Sequence, residues 1–96
     1  MIHQFKYQTP FISFGFGVTQ KTVTAGTPLT IWLVTLYNES EYTFSLTGGG
    51  GAINAVSNYE YSISNLSRGT YTFSMRVTTK DKHTSLDSNV LTLTIT

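Results

Sequence analysis

The chain has 96 residues, which suits a single domain, and only 11% of them are charged, with a formal net charge of +1. Because so weak a charge offers no electrostatic footprint for DNA, RNA or anionic lipid, we expect neither a nucleic acid nor a membrane as partner. There is no cysteine, which excludes disulfides, thiolate zinc sites and thiol nucleophiles, and we expect no cofactor and no bound metal.

The N-terminal region, residues 1–10, is predicted to be an arm that precedes a domain of residues 11–96. Aromatic residues are frequent there, whereas disordered tails are poor in them. Phe5, Tyr7 and Phe11 are therefore predicted to contact a partner. The alternative is that these residues belong to the first strand and fill the bottom of the core.

A glycine-rich segment follows the arm. Phe14, Phe16 and Val18 alternate with glycines, which predicts a first strand, whole or split, that ends at the turn Ala25-Gly26-Thr27-Pro28. Because glycine has no side chain, these positions permit another backbone or ring to approach closely across the strand.

The strand predicted next is apolar on both faces, although a sandwich strand with one face in water normally alternates with polar residues. It runs from Leu29 to Tyr37, and Leu29, Ile31 and Leu33 alternate with Trp32, Val34 and Leu36. Only one of these faces can lie between the sheets. Trp32 is predicted to bind a partner, because aromatic anchors are enriched at interaction hot spots. The alternative is that the N-terminal segment or a neighbouring side chain covers it.

Period-two alternation continues to the end of the chain. Further strands are predicted at Tyr42–Leu46, Ile53–Val56, Tyr59–Ile63, Tyr71–Val77 and Leu91–Ile95. Gly48–Gly51 is predicted to be a flexible loop between strands, and the polar segment Lys80–Ser88 another loop. Together these segments predict an all-β fold, a seven-stranded antiparallel sandwich.

Three residues near the predicted sixth strand carry a resemblance to known families. Leu66, Gly69 and Tyr71 resemble the tyrosine corner of immunoglobulin-like, fibronectin type III and polycystic-kidney-disease-type domains, in which a tyrosine bonds back to upstream backbone. The turn Ala25-Gly26-Thr27-Pro28 is similar to the one before strand B of these domains. The resemblance implies an immunoglobulin-like sandwich whose fold these residues define. Small domains of this kind are common in bacterial surface proteins and as appendages of tailed-phage virions.

Residues for acid–base chemistry are scarce. The histidines are His3, near the terminus, and His83, in a polar segment, and neither has a plausible partner in the sequence, so we predict that the chain is not an enzyme. Four carboxylates in two loops that meet at one end of a sandwich offer a weak calcium site as the alternative to solvated charges. They are Glu39, Glu41, Asp81 and Asp87.

The chain begins with methionine, carries no leader and ends with its last strand, which favours a complete small gene product that functions by binding. We predict a structural accessory protein, a phage capsid or other virion decoration protein. It would attach to a larger protein assembly through its N-terminal arm and an apolar strand face. We expect it in the virion after synthesis in the host cytoplasm without a signal peptide, or alternatively at a cell surface.

The alternative function is a carbohydrate-binding or adhesion module with a glycan as partner. Tyrosine and tryptophan rings stack on sugars, and the chain has six tyrosines and one tryptophan. The alternating pattern, however, predicts that most of these tyrosines point into the core.

Overall fold

A computed structural model of the chain describes residues 8–51 and 53–96. Nine strands and one 3-10 turn form within these residues. In chain order they are β1 (Ile12–Ser13), β2 (Gln20–Val23), β3 (Leu29–Leu33), β4 (Tyr42–Gly48), the 3-10 turn (Gly49–Gly51), β5 (Ile53–Ala55), β6 (Glu60–Ile63), β7 (Gly69–Thr79), β8 (Ser85–Asp87) and β9 (Leu91–Ile95). A search of the described residues finds no helix with the length and hydropathy needed to cross a bilayer.

The strands form two sheets. The first has the order β1-β3-β6-β5, and the second has the order β2-β9-β7-β4, with β8 also paired to β7. The predicted all-β, immunoglobulin-like sandwich is therefore confirmed, although the described residues contain nine strands and not seven. The second sheet is mixed, because β2 runs parallel to β9 while the other pairs are antiparallel.

The core lies between the sheets and follows the predicted alternation. Every second residue is buried along β9 and along β7 from Phe73 to Val77, while the residues between them, mostly threonine and serine, face outward. The fully or nearly fully buried apolar residues are Ile12, Phe14, Leu29, Ile31, Leu33, Tyr61, Ile63, Phe73, Met75, Val77, Leu91, Leu93 and Ile95.

The predicted first strand is split into β1 and β2, and the glycine-rich segment between them is a turn and not part of a strand. The Phe14 N–H donates to the Val18 carbonyl at 2.8 Å, and the Val18 N–H donates to the Gly15 carbonyl at 3.0 Å. Gly15, Phe16 and Gly17 all have positive φ, at 111°, 51° and 75°. A strand needs negative φ, so the two glycines here serve a reversal of the chain. The turn carries the chain from β1 in the first sheet to β2 in the second.

The polar segment predicted as a loop, Lys80–Ser88, contains strand β8. The other edge of β7 is paired with β4 from Phe73 to Thr79, so β8 and β9 lie end to end along one edge of β7. A sequence rich in lysine, aspartate and serine hides this strand, because β8 is short and only Leu86 between its ends is partly buried.

A bulge separates β8 from β9. Phe73 pairs with Leu91 and Arg76 with Asp87, so two residues of β7 face three on the other strand, Ser88 to Val90. The Ser88 N–H donates to the Met75 carbonyl at 2.8 Å. In return, the Met75 N–H donates to Ser88 Oγ at 2.7 Å, so a side-chain oxygen replaces a backbone acceptor.

Asn89, in the middle of this bulge, joins the two sheets. Its Oδ1 accepts a hydrogen bond from the Ile12 N–H at 2.8 Å, and its Nδ2 donates to the Ile12 carbonyl at 2.9 Å. The amide thus pairs with β1 as a neighbouring strand would. Ile12 is fully buried, so water does not offer its backbone an equivalent partner.

The glycines after β4 are closely packed, whereas the sequence predicted a flexible loop. Gly48 is the last residue of β4, and Gly49–Gly51 forms the 3-10 turn. A Cβ at Gly49 would overlap the ring of Phe73, and one at Gly48 would overlap the Thr72 carbonyl oxygen. These glycines let the chain leave the second sheet close to the core.

Replacing the bridging asparagine should destabilise the fold. Asn89→Ala leaves the buried N–H and carbonyl of Ile12 without their partners, so we expect the free energy of unfolding to fall by about 2–4 kcal/mol. Urea denaturation followed by circular dichroism measures the change. Asn54→Ala, at an exposed position of β5, is the matched control and should change stability by less than about 0.5 kcal/mol. Equal losses in the two variants would contradict the bridge.

Candidate interaction surface

Apolar side chains gather on the outer face of the first sheet, near its β1 edge. Ser13 pairs with Trp32, and the Val34 N–H donates to the Phe11 carbonyl at 2.8 Å, so all four side chains point away from the core. Phe11, Trp32 and Val34 are exposed. We call these three residues together with Phe16 the tryptophan face.

Phe16 is the most exposed part of the tryptophan face. Its relative exposure is 109%, and its φ of 51° lies in the left-handed region, which bulky residues rarely adopt. Holding a residue with a Cβ there costs about 1–2 kcal/mol. Strain of this kind is characteristic of functional sites, and here it points an aromatic ring into solvent.

Trp32 lies in the middle of the face, beside the turn. Its side chain is 41% exposed, and a Cβ placed on Gly15 would lie 3.9 Å from its Nε1, so the indole packs over this glycine. Phe16 and Val34 line the same shallow depression as Trp32. The glycines permit the close approach of a backbone or ring, and the indole of Trp32 approaches at Gly15.

The described part of the predicted arm, Gln8 to Pro10, is tied to the segment that follows β3. Tyr37 Oη donates to the Gln8 carbonyl at 2.5 Å, and the Phe11 N–H donates to Thr35 Oγ1 at 2.9 Å. Pro10 is buried. Because a threonine side chain here replaces the backbone acceptor, β3 ends at Leu33, four residues before the predicted end at Tyr37.

The four residues predicted to bind a partner are thus only partly brought together. Phe11 and Trp32 share one outer face, at diagonal positions of neighbouring strands. Phe5 and Tyr7 lie outside the described residues. Sequence reasoning did not select Phe16 or Val34 as site residues, because it assigned Phe16 to a strand in which its ring would face the core.

An aromatic cluster lies behind the segment that holds Gln8. The ring centroids of Tyr37 and Tyr42 are 5.1 Å apart, those of Tyr37 and Phe44 5.9 Å, and those of Phe44 and Tyr59 6.1 Å. Tyr59 Oη donates to the Tyr37 carbonyl at 2.8 Å and accepts from the Tyr37 N–H at 3.1 Å. The cluster fixes the chain between β3 and β4 and, through Tyr37, the start of the described region.

The three residues of the predicted tyrosine corner meet at the start of β7. Tyr71 Oη donates to the Ser67 carbonyl at 2.7 Å, Leu66 packs against the core, and Gly69 has a φ of 152°. These contacts lie at the opposite end of β7 from the aromatic cluster. They shape the fold and add nothing to the tryptophan face.

The four loop carboxylates are bound to protein groups at separate places. Glu39 accepts from Asn58 at 2.7 Å and Glu41 from Asn38 at 3.0 Å. Asp81 accepts from Thr79 Oγ1 at 2.5 Å and Asp87 from Arg76 at 2.9 Å, and these contacts lower the pKa of both aspartates. Among the described residues, no group of three potential ligands could hold a metal ion.

The fold and the exposed face together define a small β-sandwich domain. Residues 35–96 match the Y_Y_Y domain, and because this match covers more than half of the 96 residues, the chain belongs to the Y_Y_Y domain family. The Y_Y_Y domain is a small accessory domain and not a catalytic family. The matched region includes Tyr37 and the aromatic cluster, whereas β1, β2, β3 and the turn at Phe16 precede it.

A solved structure with a similar fold is the endo-beta-1,4-mannanase from Thermotoga petrophila. The TM-score is 0.56 at 6% sequence identity, and the alignment covers 95% of this chain and 20% of that one. The present chain thus corresponds to about a fifth of the mannanase, and at this identity the similarity shows the fold alone. No sequence among the curated proteins matches this chain.

Two phenols, the buried Tyr61 and the half-buried Tyr37, predict how stability depends on pH. Burial raises the pKa of Tyr61 to about 12, and burial together with the neighbouring Tyr42 and Tyr59 raises the pKa of Tyr37 to about 12. The unfolded chain ionises tyrosine near its ordinary pKa of 10.0. Stability should therefore be unaffected by these groups below pH 10 and should fall between pH 10 and 12, with a slope of at most about 1.4 kcal/mol per pH unit for each.

Urea denaturation across this alkaline range measures the slope. Tyr61→Phe removes one of the two phenols without removing its ring, so its stability should fall less steeply above pH 10. If the variant and the wild type show the same slope, the Tyr61 phenol is not held neutral by the fold.

Proposed function

We propose that this domain is a non-catalytic accessory module that attaches to a larger protein assembly through the tryptophan face. The observation that carries the proposal is the exposure of Phe16, Trp32 and Val34 around one depression. Contiguous exposed apolar side chains, with an aromatic anchor at the centre and polar residues around them, are typical of protein interaction sites.

The positive φ of Phe16 supports attachment as the role of this face. A phenylalanine in the left-handed region of a turn lowers stability, and glycine at that position would avoid the strain. In the isolated domain the Phe16 ring makes no compensating contact, since it is fully exposed. A partner surface that buries this ring would offset the strain through the apolar area removed from water.

For the assembly we propose a virion, in which the domain would decorate a capsid or another coat component. The N-terminal residues, including Phe5 and Tyr7, would extend the contact beyond the tryptophan face, since Gln8 is held close to β3 and β4 by Tyr37. An assembly at a cell surface is the alternative location. The low net charge suits attachment by apolar contact, which high salt does not weaken.

A carbohydrate-binding or adhesion module is the alternative function. The partly exposed indole of Trp32, opposite Glu60 on the neighbouring strand, is suited to stacking on a sugar with a polar group beside it. The tyrosines support this role less, because the five described ones are buried or packed against the core. A glycan array that shows binding lost in Trp32→Ala, with no protein partner, would favour this alternative.

Photo-crosslinking in the native host tests the attachment site. A p-benzoylphenylalanine in place of Phe16 should crosslink to a component of the assembly, because the ring projects into solvent from the tryptophan face. The same photoreactive residue at Val90, which is exposed in the bulge between β8 and β9 of the second sheet, is the matched control and should give no such crosslink. Crosslinks to a coat protein that sediments with particles support the virion, whereas products confined to other cellular proteins would exclude it.

The purified partner then allows a binding measurement that Trp32 itself reports. Trp32 is the only tryptophan in the chain, so its fluorescence can be followed alone when the partner lacks tryptophan or when the partner's emission is subtracted. Binding should shift the emission of Trp32 to shorter wavelength. Phe16→Ser should weaken binding by about 2 kcal/mol, as loss of a hot-spot residue does, and leave folding stability within about 0.5 kcal/mol. Val90→Ser, at an exposed position of the second sheet, should bind as the wild type. Unchanged emission on binding, or normal affinity of Phe16→Ser, would exclude this face as the attachment site.

A further inference from the structure

The longest exposed sheet edge belongs to β4. β4 lies at the end of the second sheet and pairs with β7 from Tyr42 to Gly48, and no described strand pairs with its other side. The other edge strands, β1, β5, β8 and β2, have two, three, three and four residues; β8 carries Asp87 and β2 carries Lys21. Natural edge strands are usually short, charged, interrupted by proline or bulged, because an open edge can accept another strand. β4 has none of these protections.

The alternation of hydrogen-bonded and non-bonded pairs between β4 and β7 shows which backbone groups of β4 point away from β7. The Lys80 N–H donates to the Glu41 carbonyl at 3.0 Å, in the same register that pairs Tyr42 with Thr79. Since antiparallel pairs alternate between bonded and non-bonded, the backbone groups of Ser45 point to β7. The N–H and carbonyl groups of Phe44 and Leu46 therefore lie along the open edge.

The side chains of β4 are self-complementary about its central residue, Ser45. In an antiparallel pair of two β4 strands centred there, Phe44 lies opposite Leu46 of the second copy, and Thr43 lies opposite Thr47. Phe44 and Leu46 are half-buried and point to the core side, while Thr43 and Thr47 are exposed on the outer side. Apolar side chains thus meet apolar ones and threonines meet threonines, which is a favourable cross-strand combination.

The same register satisfies the open backbone groups. Phe44 and Leu46 of the second copy form a bonded pair, because both present their backbone groups to the edge, and symmetry repeats the pair on the other side of Ser45. Charge does not oppose the approach. β4 has no charged residue, and the nearest charge on the adjacent strand, Arg76, is neutralised by Asp87 at 2.9 Å.

We propose that a second copy of this chain adds antiparallel to the β4 edge, centred on Ser45, so that the two five-stranded second sheets become one continuous ten-stranded sheet. This inference goes beyond the proposed attachment, because the tryptophan face lies on the first sheet. The dimer therefore leaves Phe16 and Trp32 available and presents two such faces to an assembly.

Sedimentation equilibrium of the full chain, at loading concentrations up to about 1 mM, tests the pairing. The wild type should show a monomer–dimer equilibrium. In Thr43→Lys, Thr47→Lys each lysine faces a lysine of the second copy, and the dissociation constant should rise at least about tenfold. Thr43→Glu, Thr47→Lys instead places opposite charges face to face, and it should dimerise at least as well as the wild type.

Two controls separate edge pairing from other causes. Gln20→Lys, Thr22→Lys puts the same charge on exposed positions of β2, at the opposite edge of the same sheet, and should leave the dissociation constant unchanged. Phe16→Ser should also leave it unchanged, so failure of the attachment proposal and failure of this one are distinguishable. A wild type that stays monomeric overturns the proposal and leaves the edge to a strand of another protein. Dimerisation unaffected by lysines at Thr43 and Thr47 overturns it as well.

Discussion

The junction at which the chain passes from one sheet to the other is the constraint on which the rest of the structure depends. β1 belongs to the first sheet and β2 to the second. Without a bridging group, the backbone N–H and carbonyl of Ile12 on the open side of β1 would therefore lack hydrogen-bond partners. The side chain of Asn89 supplies that bridge by pairing with both backbone groups of Ile12. The bulge between β8 and β9 places Asn89 next to β1.

The position of the tryptophan face follows from the same junction. Once β1 is held by Asn89 on one side and β3 on the other, the reversal to β2 has to occur within a few residues, and glycines at 15 and 17 permit it. The turn places Phe16 at its tip and Gly15 under the indole of Trp32. The exposed aromatic surface is therefore a product of the chain reversal and does not require a separate structural element.

The sequence predicted the fold better than it predicted the surface. Alternation at Phe73, Met75 and Val77 on β7 is enforced by a two-sided environment, so the pattern alone identified strand and core. Alternation failed as a guide at Phe14–Val18, because alternating glycine and apolar residues are compatible both with a strand and with a turn of positive φ. Only tertiary contacts distinguish them, because the turn depends on where β2 must begin.

The missed bulge and the shortened β3 have a related physical cause. Asn89 and Thr35 act as substitutes for backbone partners, and nothing local in the sequence marks a polar side chain as the partner of a strand far away along the chain. Trp32 was identified because an apolar residue on the outer face of a strand conflicts with alternation. Phe16 was not, because its exposure depends on a backbone conformation that the residue type itself disfavours.

The low charge of the chain affects both the β4 edge and the tryptophan face. With a net charge of +1 and 11% charged residues, self-repulsion contributes little to keeping copies or partners apart. Solubility then depends on local protection, which the shortness of β1, β5 and β8 and the charge of Lys21 on β2 supply at every described edge except that of β4. Protection is missing at β4 and at the tryptophan face, on different sheets. A domain that leaves open these two surfaces while protecting the others has the geometry of a connecting part, since each surface can be covered without blocking the other.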